Sequence, residues 1–226
     1  MQKLDNIPQN DNSDTESVRP TGKLARTRNK LVRAVREEIA EHGGFSAERV
    51  ALRAGTSTPT FYNHFATKDD ALAAAYEQMM HAVVELAQRK CQIERLLDEG
   101  LQTLVADWVL MTGAFFRENV RLSRLAQAAI DRSKTMRDLF RDHEARTIEV
   151  YRRFIELGQA ARAIRQGNPD AMASALTITA QSWHHQLVQN VEAGDELHRE
   201  LTGMIVAMLQ PPADMPHPLN LEESHP

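Results

Sequence analysis

Val50-Ala51-Leu52-Arg53-Ala54-Gly55-Thr56-Ser57-Thr58-Pro59-Thr60-Phe61-Tyr62-Asn63-His64-Phe65 is the stretch whose reading decides the fold. It reads as two short helices joined by a tight turn at Gly55, a helix-turn-helix. Gly55 can take the left-handed conformation that follows a helix end, because it has no Cβ to clash there. Ala51 and Ala54 are small enough to let the two helices approach. Phe61 and Phe65, spaced i,i+4, share one face and pack inward with Val50. The opposite face of the second helix keeps Thr58, Thr60, Tyr62, Asn63 and His64 free. These are short donors and acceptors with one aromatic hydroxyl, suited to base edges and phosphate oxygens in a major groove.

The flanks strengthen that reading. Upstream, Arg19, Lys23, Arg26, Arg28, Lys30, Arg33 and Arg36 precede the first acidic residue of that region, Glu37. An arm reaching phosphates or the minor groove is one reading of this lead-in, and a flexible solubilising tail is the other. Arg28 is expected beside the nucleic acid at the start of the first helix. Downstream, Lys68 opens the next helix and adds a cation beside exposed backbone N–H groups. Net charge is −3 over residues 1–18, +6 over 19–68 and −7 over 69–226, for a total of −4. A basic module on an otherwise acidic chain suits a polyanionic partner.

The whole 226-residue sequence, 42% hydrophobic and 26% charged, has the composition of an ordinary globular protein. Between Thr21 and Gln210 the only prolines are Pro59 and Pro169, and aromatics make up 5%. With Ala and Leu abundant and few alternating β-branched runs, the expectation is an all-α chain, which makes Rossmann and P-loop enzymes unlikely candidates. About nine helices are predicted: Thr27 to Glu41, Ala47 to Ala54, Pro59 to His64, Lys68 to Cys91, Glu94 to Arg117, Val120 to Asp131, Lys134 to Leu157, Pro169 to Ala193 and Glu196 to Gln210. Ser46, Ser57 or Thr58, Thr67, Asn168 and Asp195 stand where N-caps belong, and glycines such as Gly43, Gly55 and Gly158 mark helix ends. The expected organisation is a disordered tail over 1–22, a DNA-binding domain over 23–70, a helical effector-binding and dimerisation domain over 71–210, and a second disordered tail over 211–226. Cys91 is the single cysteine and cannot pair within the chain, and the first residues lack the apolar core of a secretory signal. Cytoplasmic residence is expected. The uncharged run from Ala171 to Val191 is too polar for lipid, so no membrane span is predicted.

The later helices carry apolar stripes at helical spacing. Most of these residues, including Leu72, Tyr76, Met79, Val83 and Leu86, read as core. Polar groups interrupt two stripes: Thr112 among Trp108, Met111 and Phe115, and His143, Thr147 and Tyr151 among Phe140 and Phe154. An apolar cavity with a few polar groups is how small-ligand sites are built, so these nine residues are the candidate pocket. The eighth predicted helix has an uncharged run from Ala171 to Val191 with small residues including Ala171 and Ala175, and the ninth presents Leu197, Leu201, Ile205 and Met208. These surfaces are candidates for a self-complementary dimer interface, with burial inside one chain as the alternative. His184 and His185 diverge by about 100° on a helix and have no companions at ligand spacing, so no metal site is expected. No cofactor is expected either. Cys91 and the serines lack a base at recognisable spacing, so no catalytic residue can be named.

The segment Ala51 to Lys68 resembles the tetracycline-repressor (TetR) family of bacterial transcription regulators: an A-x-x-A-G turn, a Ser, a helix ending in Tyr-x-His-Phe, then Lys. Thr27-Arg28, Ala34 and His42-Gly43 extend the resemblance to about residues 27–76. The link from Gly43 to the second helix is about two residues shorter than in the family, and Thr56 stands where an aliphatic residue is common. The resemblance implies that Thr58, Pro59, Thr60 and Tyr62 face base edges, while Ser46, Tyr62, Asn63, His64 and Lys68 hold the backbone. It implies a homodimer on a palindromic operator in double-stranded DNA, acting as a repressor released by a small apolar effector. Rival expectations are an activator or architectural protein of the same fold without an effector, and a helical enzyme or carrier that keeps only the corner.

Overall fold

The computed structural model describes residues 22–182, 185, 192 and 195–212. The expected tails, apart from residues 22, 211 and 212, lie outside these residues, as do Arg19, His184 and most of the predicted helix beyond residue 182. The described residues form ten helices and no strand: α1 Gly22–His42, α2 Ala47–Arg53, α3 Thr58–His64, α4 Lys68–Lys90, α5 Ile93–Glu99, α6 Leu101–Glu118, α7 Val120–Ala129, α8 Lys134–Ala160, α9 Pro169–Gln181 and α10 Glu196–Leu209.

Side chains cap six of these helices. Ser46, Ser57, Thr67, Ser133, Asn168 and Asp195 each accept a hydrogen bond from a backbone N–H of the first turn, and Thr67 with Asp70 closes a reciprocal capping box. Three departures from the sequence reading have local causes. The helix expected from Glu94 is broken, because Gly100 adopts φ 81° and ψ 158°, ending α5 and starting α6. Thr27, expected to open α1, already lies inside it and turns its hydroxyl back onto the Lys23 carbonyl at 3.1 Å. Gly158 is an interior residue of α8; a Cβ there would lie 2.5 Å from Ile164 Cδ1, so its role is close packing rather than termination.

Helices α1 to α3 enclose a small core of Leu31, Val35, Ile39, Val50, Phe61 and Phe65. The long α4 leaves this unit and becomes the spine of the second, burying Tyr76 and Met79 along its length. Against α4 pack α6, α7 and α8; α9 covers α8, and α10 covers α6. Arg165 fastens the loop before α9 to the end of α10, its backbone N–H donating to the Leu209 carbonyl at 2.8 Å and its Nε to that of Met208 at 2.6 Å. Among the described residues, no helix is long and apolar enough to cross a membrane.

Candidate functional site

The corner between α2 and α3 is set by backbone chemistry. Gly55 has φ 66°, its N–H donates to Leu52 O at 3.1 Å, and the N–H of Thr56 donates to Ala51 O at 2.9 Å. That pair of bonds is a Schellman C-cap, which turns the chain sharply while satisfying the orphan carbonyls of α2. Phe61 and Phe65 point into the core at 0% and 2% exposure, so α3 has a fixed inner face.

Its outer face presents Pro59, Tyr62 and Asn63, all exposed, with Thr58, Thr60 and His64 half-buried beside them. The hydroxyl of Thr60 lies 2.9 Å from the capping hydroxyl of Ser57. Ser46 is half-buried and caps α2, accepting the Arg49 N–H at 3.3 Å. Two cations flank this face, each held over a ring: the Arg28 guanidinium 5.1 Å from the Phe65 centroid and the Lys68 ammonium 5.4 Å from that of Phe45. The arrangement offers polar and aromatic groups for a groove and cations for phosphates.

Two other basic residues of this unit reach across to the acidic side chains of α1. Arg53 donates to Glu38 at 2.7 Å through Nε and to Glu41 at 2.7 Å through Nη1, while Arg49 pairs with Glu38 at 2.8 Å. Burial pushes the Glu38 carboxyl up, but the hydrogen bond and charge of Arg53, joined by Arg49, outweigh it and hold the group below the usual carboxylate range. Sequence reading missed this cluster; its signal was the Glu37-Glu38 and Glu41 spacing in α1 against the i,i+4 pair Arg49 and Arg53.

A cavity of about 540 Å³ opens between α4, α6, α7, α8 and α9. Of the nine candidate pocket residues, Trp108, Thr112, Phe140, His143, Thr147 and Tyr151 line it. Met111, Phe115 and Phe154 do not. On α6 the inward row is Trp108, Thr112 and Phe116, spaced i,i+4, which rotates Met111 outward and leaves Phe115 packed edge-on against Phe116 at 5.7 Å. Phe154 lies on a separate void of about 20 Å³ with Cys91 and Leu104. Tyr76 and Val83 of α4, which read as core in the sequence, form one wall of the larger cavity together with Met80 and Ala87. Burial pushes the Cys91 thiol up to about 12.

The expected interface residues divide. Ala171 and Leu197 are exposed, Ala175, Leu201 and Met208 are half-buried, and Ile205 is buried at 2% exposure among the residues that α10 turns toward the core. Ile205 therefore belongs to the core of its own chain. Ile178 and Met204, at 66% and 52%, are with Leu197 the large apolar side chains left exposed on α9 and α10. Among the described residues no three His, Cys, Asp or Glu gather to hold a metal.

Residues 31–75 match the family described as "Bacterial regulatory proteins, tetR family". No curated protein matches the chain. Among solved structures, a TetR transcription regulator from Haloarcula marismortui superposes with TM-score 0.67 at 18% identity, covering 82% of this chain and 100% of that one. GusR of Salmonella enterica gives TM-score 0.64 at 18% identity over 81% and 95%. SmeT, solved in complex with triclosan, gives 0.61 at 18% identity over 82% and 92%; it is the repressor of a multidrug efflux pump in Stenotrophomonas maltophilia. These likenesses show the fold.

Proposed function

We propose that this chain, which through residues 31–75 belongs to the tetR family of bacterial regulatory proteins, is a DNA-binding transcription factor rather than an enzyme, a homodimeric repressor released from a palindromic operator by a small, largely apolar molecule. The observation that carries this reading is the path of α4. This helix begins at Lys68, beside the exposed face of α3, and supplies Tyr76, Met80, Val83 and Ala87 to one wall of the 540 Å³ cavity. A molecule in the cavity therefore touches the same rigid element that carries the DNA-reading unit. If the two orientations of α4 bind that molecule unequally, its binding shifts their populations. Two recognition helices must fall on successive major grooves about 34–36 Å apart, so a small pivot suffices to lose the operator. The triclosan complex of SmeT supports an organic small molecule as the ligand class.

Selecting bound duplexes from a random DNA pool tests the first half: a palindromic consensus is expected, and no enrichment overturns it. The second half is tested by adding compounds to the protein–operator complex. Release together with a raised melting temperature is expected of an effector, since binding only the folded state stabilises it. DNA affinity indifferent to a broad compound set favours the effectorless regulator.

A further inference from the structure

We infer that the cavity takes an uncharged, planar aromatic molecule bearing a hydrogen-bonding oxygen, and that the Tyr76 hydroxyl meets that oxygen; this rests on the reading of the cavity as the effector site.

The walls supply flat aromatic surface. Tyr76 stacks on Phe140 with centroids 4.9 Å apart and planes 20° apart, and Trp108 meets Tyr151 edge-on at 5.8 Å and 89°. Rings exposed on a cavity wall in this way offer faces and edges against which a further aromatic ring can stack or pack edge-on. The size of the cavity, about 540 Å³, suits a molecule of several rings.

The polar groups narrow the class further, because most already have partners within the protein. Thr147 donates to the His143 carbonyl at 3.0 Å and lies 3.3 Å from His143 Nε2, Thr177 donates to the Ala173 carbonyl at 2.9 Å, and the Tyr151 hydroxyl is hydrogen-bonded by Trp108. Tyr76 differs: the residue has 0% exposure, lines the cavity, and its hydroxyl has no partner among the described residues. A buried hydroxyl left unsatisfied is costly, so a ligand oxygen placed there gains what the protein does not provide. Charge argues against an anion. The one Lys or Arg on the lining is Arg141, which is exposed and ion-paired with Asp138; the His143 imidazole already lies against the Thr147 hydroxyl, and Glu144 lines the same side. A carboxylate deep in the cavity would lose its hydration without gaining a buried cation.

Three probes sharing one tricyclic skeleton test this by calorimetric titration of the full chain: 9-fluorenone, fluorene and fluorene-9-carboxylate. The ketone is expected to bind about three- to tenfold tighter than the hydrocarbon, the range of one net hydrogen bond, and the carboxylate weakest. Tyr76→Phe keeps the ring and its stack on Phe140. It is expected to bring fluorenone down to the affinity of fluorene, to leave fluorene unchanged, and to melt no lower than the native protein in the absence of ligand. Ketone and hydrocarbon binding alike to the native chain overturns the inference while leaving the cavity an effector site. Equal weakening of both by Tyr76→Phe does the same. If none of the three binds, the inference falls, and the effector reading is decided separately by the broad compound set.

Discussion

Lys68 and Glu38 illustrate how differently two charges of one small unit are used. The Lys68 ammonium is exposed and steadied over Phe45, its charge also felt by the Glu48 carboxyl, and it faces outward where a phosphate could reach it. Lys68→Ala is expected to weaken all duplexes similarly and to lower the slope of log affinity against log salt by about one, because one fewer counterion is released. Tyr62, 49% exposed on α3, is expected to behave oppositely, with Tyr62→Ala relaxing the selected sequence. A changed base preference in the Lys68 variant with an intact one in the Tyr62 variant would invert this assignment. Glu38 faces inward at 3% exposure and ties α1 to α2 through Arg53 and Arg49. Its folded pKa is held below the usual value, so its contribution is full above the unfolded carboxylate pKa of about 4.3 and is lost as pH falls through the lower folded value. Glu38→Gln should therefore melt below the native protein at pH 7, and the gap should shrink as the medium is acidified past pH ~4. Melting curves with a constant gap at pH 7 and pH 3 would show that ionisation of Glu38 contributes nothing.

Among the elements, α7 joins the cavity to the DNA-reading unit by a second route beside α4. Gln127 and Ile130, on α7 and at its end, line the cavity. Arg121, near its start, donates to the carbonyls of Ala40 and Glu41 at the end of α1, and Arg132, just past its end, makes two 3.2 Å bonds to Asp69 at the start of α4. A displacement of α7 thus pulls on both helices that position α3. Arg132→Ala is expected to leave the fold intact and to reduce the shift in operator affinity that an effector causes; an unchanged shift in a binding titration would remove α7 from the coupling. Neither arginine was visible as a strut in the sequence, because their partners lie 63 or more residues away. Local chemistry was far more legible. Ser57, Thr67, Asn168 and Asp195 announce their helices through caps that act within one turn, and Gly55 announces its corner. Gly100 gives no such signal, because the apolar stripe continues across it and a glycine inside a periodic run does not declare whether its φ is positive. The α6 wall shows the same limit: Phe115 and Phe116 are adjacent and chemically equivalent, and only the packing of α6 decides that Phe116 turns inward.

For the molecule as a whole, the proposed dimer follows from what its last two helices leave uncovered. Within the chain, α9 buries Met172, Ala173 and Leu176 and α10 buries Ile205, Val206 and Leu209, yet Ile178 and Met204 remain 66% and 52% exposed. Isolated apolar side chains on a surface are ordinary. Here Ile178 stands on a helix without a single charged residue from Ala171 to Gln181, where a second copy could cover it without desolvating a charge of that run, and Met204 stands on α10, one turn from Glu200. The two isoleucines separate assembly from folding. Ile178→Arg places a cation that solvent accommodates in a monomer but that a dimer buries unpaired, at a cost of several kcal/mol. It is expected to keep its helicity and melting cooperativity while its sedimenting mass falls from near twice 25.5 kDa to near 25.5 kDa. Ile205→Arg, at a site 2% exposed in the chain itself, is expected to cost the fold a similar several kcal/mol and to lower the melting temperature whatever the assembly state. Operator binding should weaken steeply in the folded Ile178→Arg monomer, since each half-site then holds its recognition helix alone. An Ile178→Arg protein that still sediments as a dimer would move the interface away from this face of α9, and a native chain that is monomeric at micromolar concentration would remove the dimer altogether.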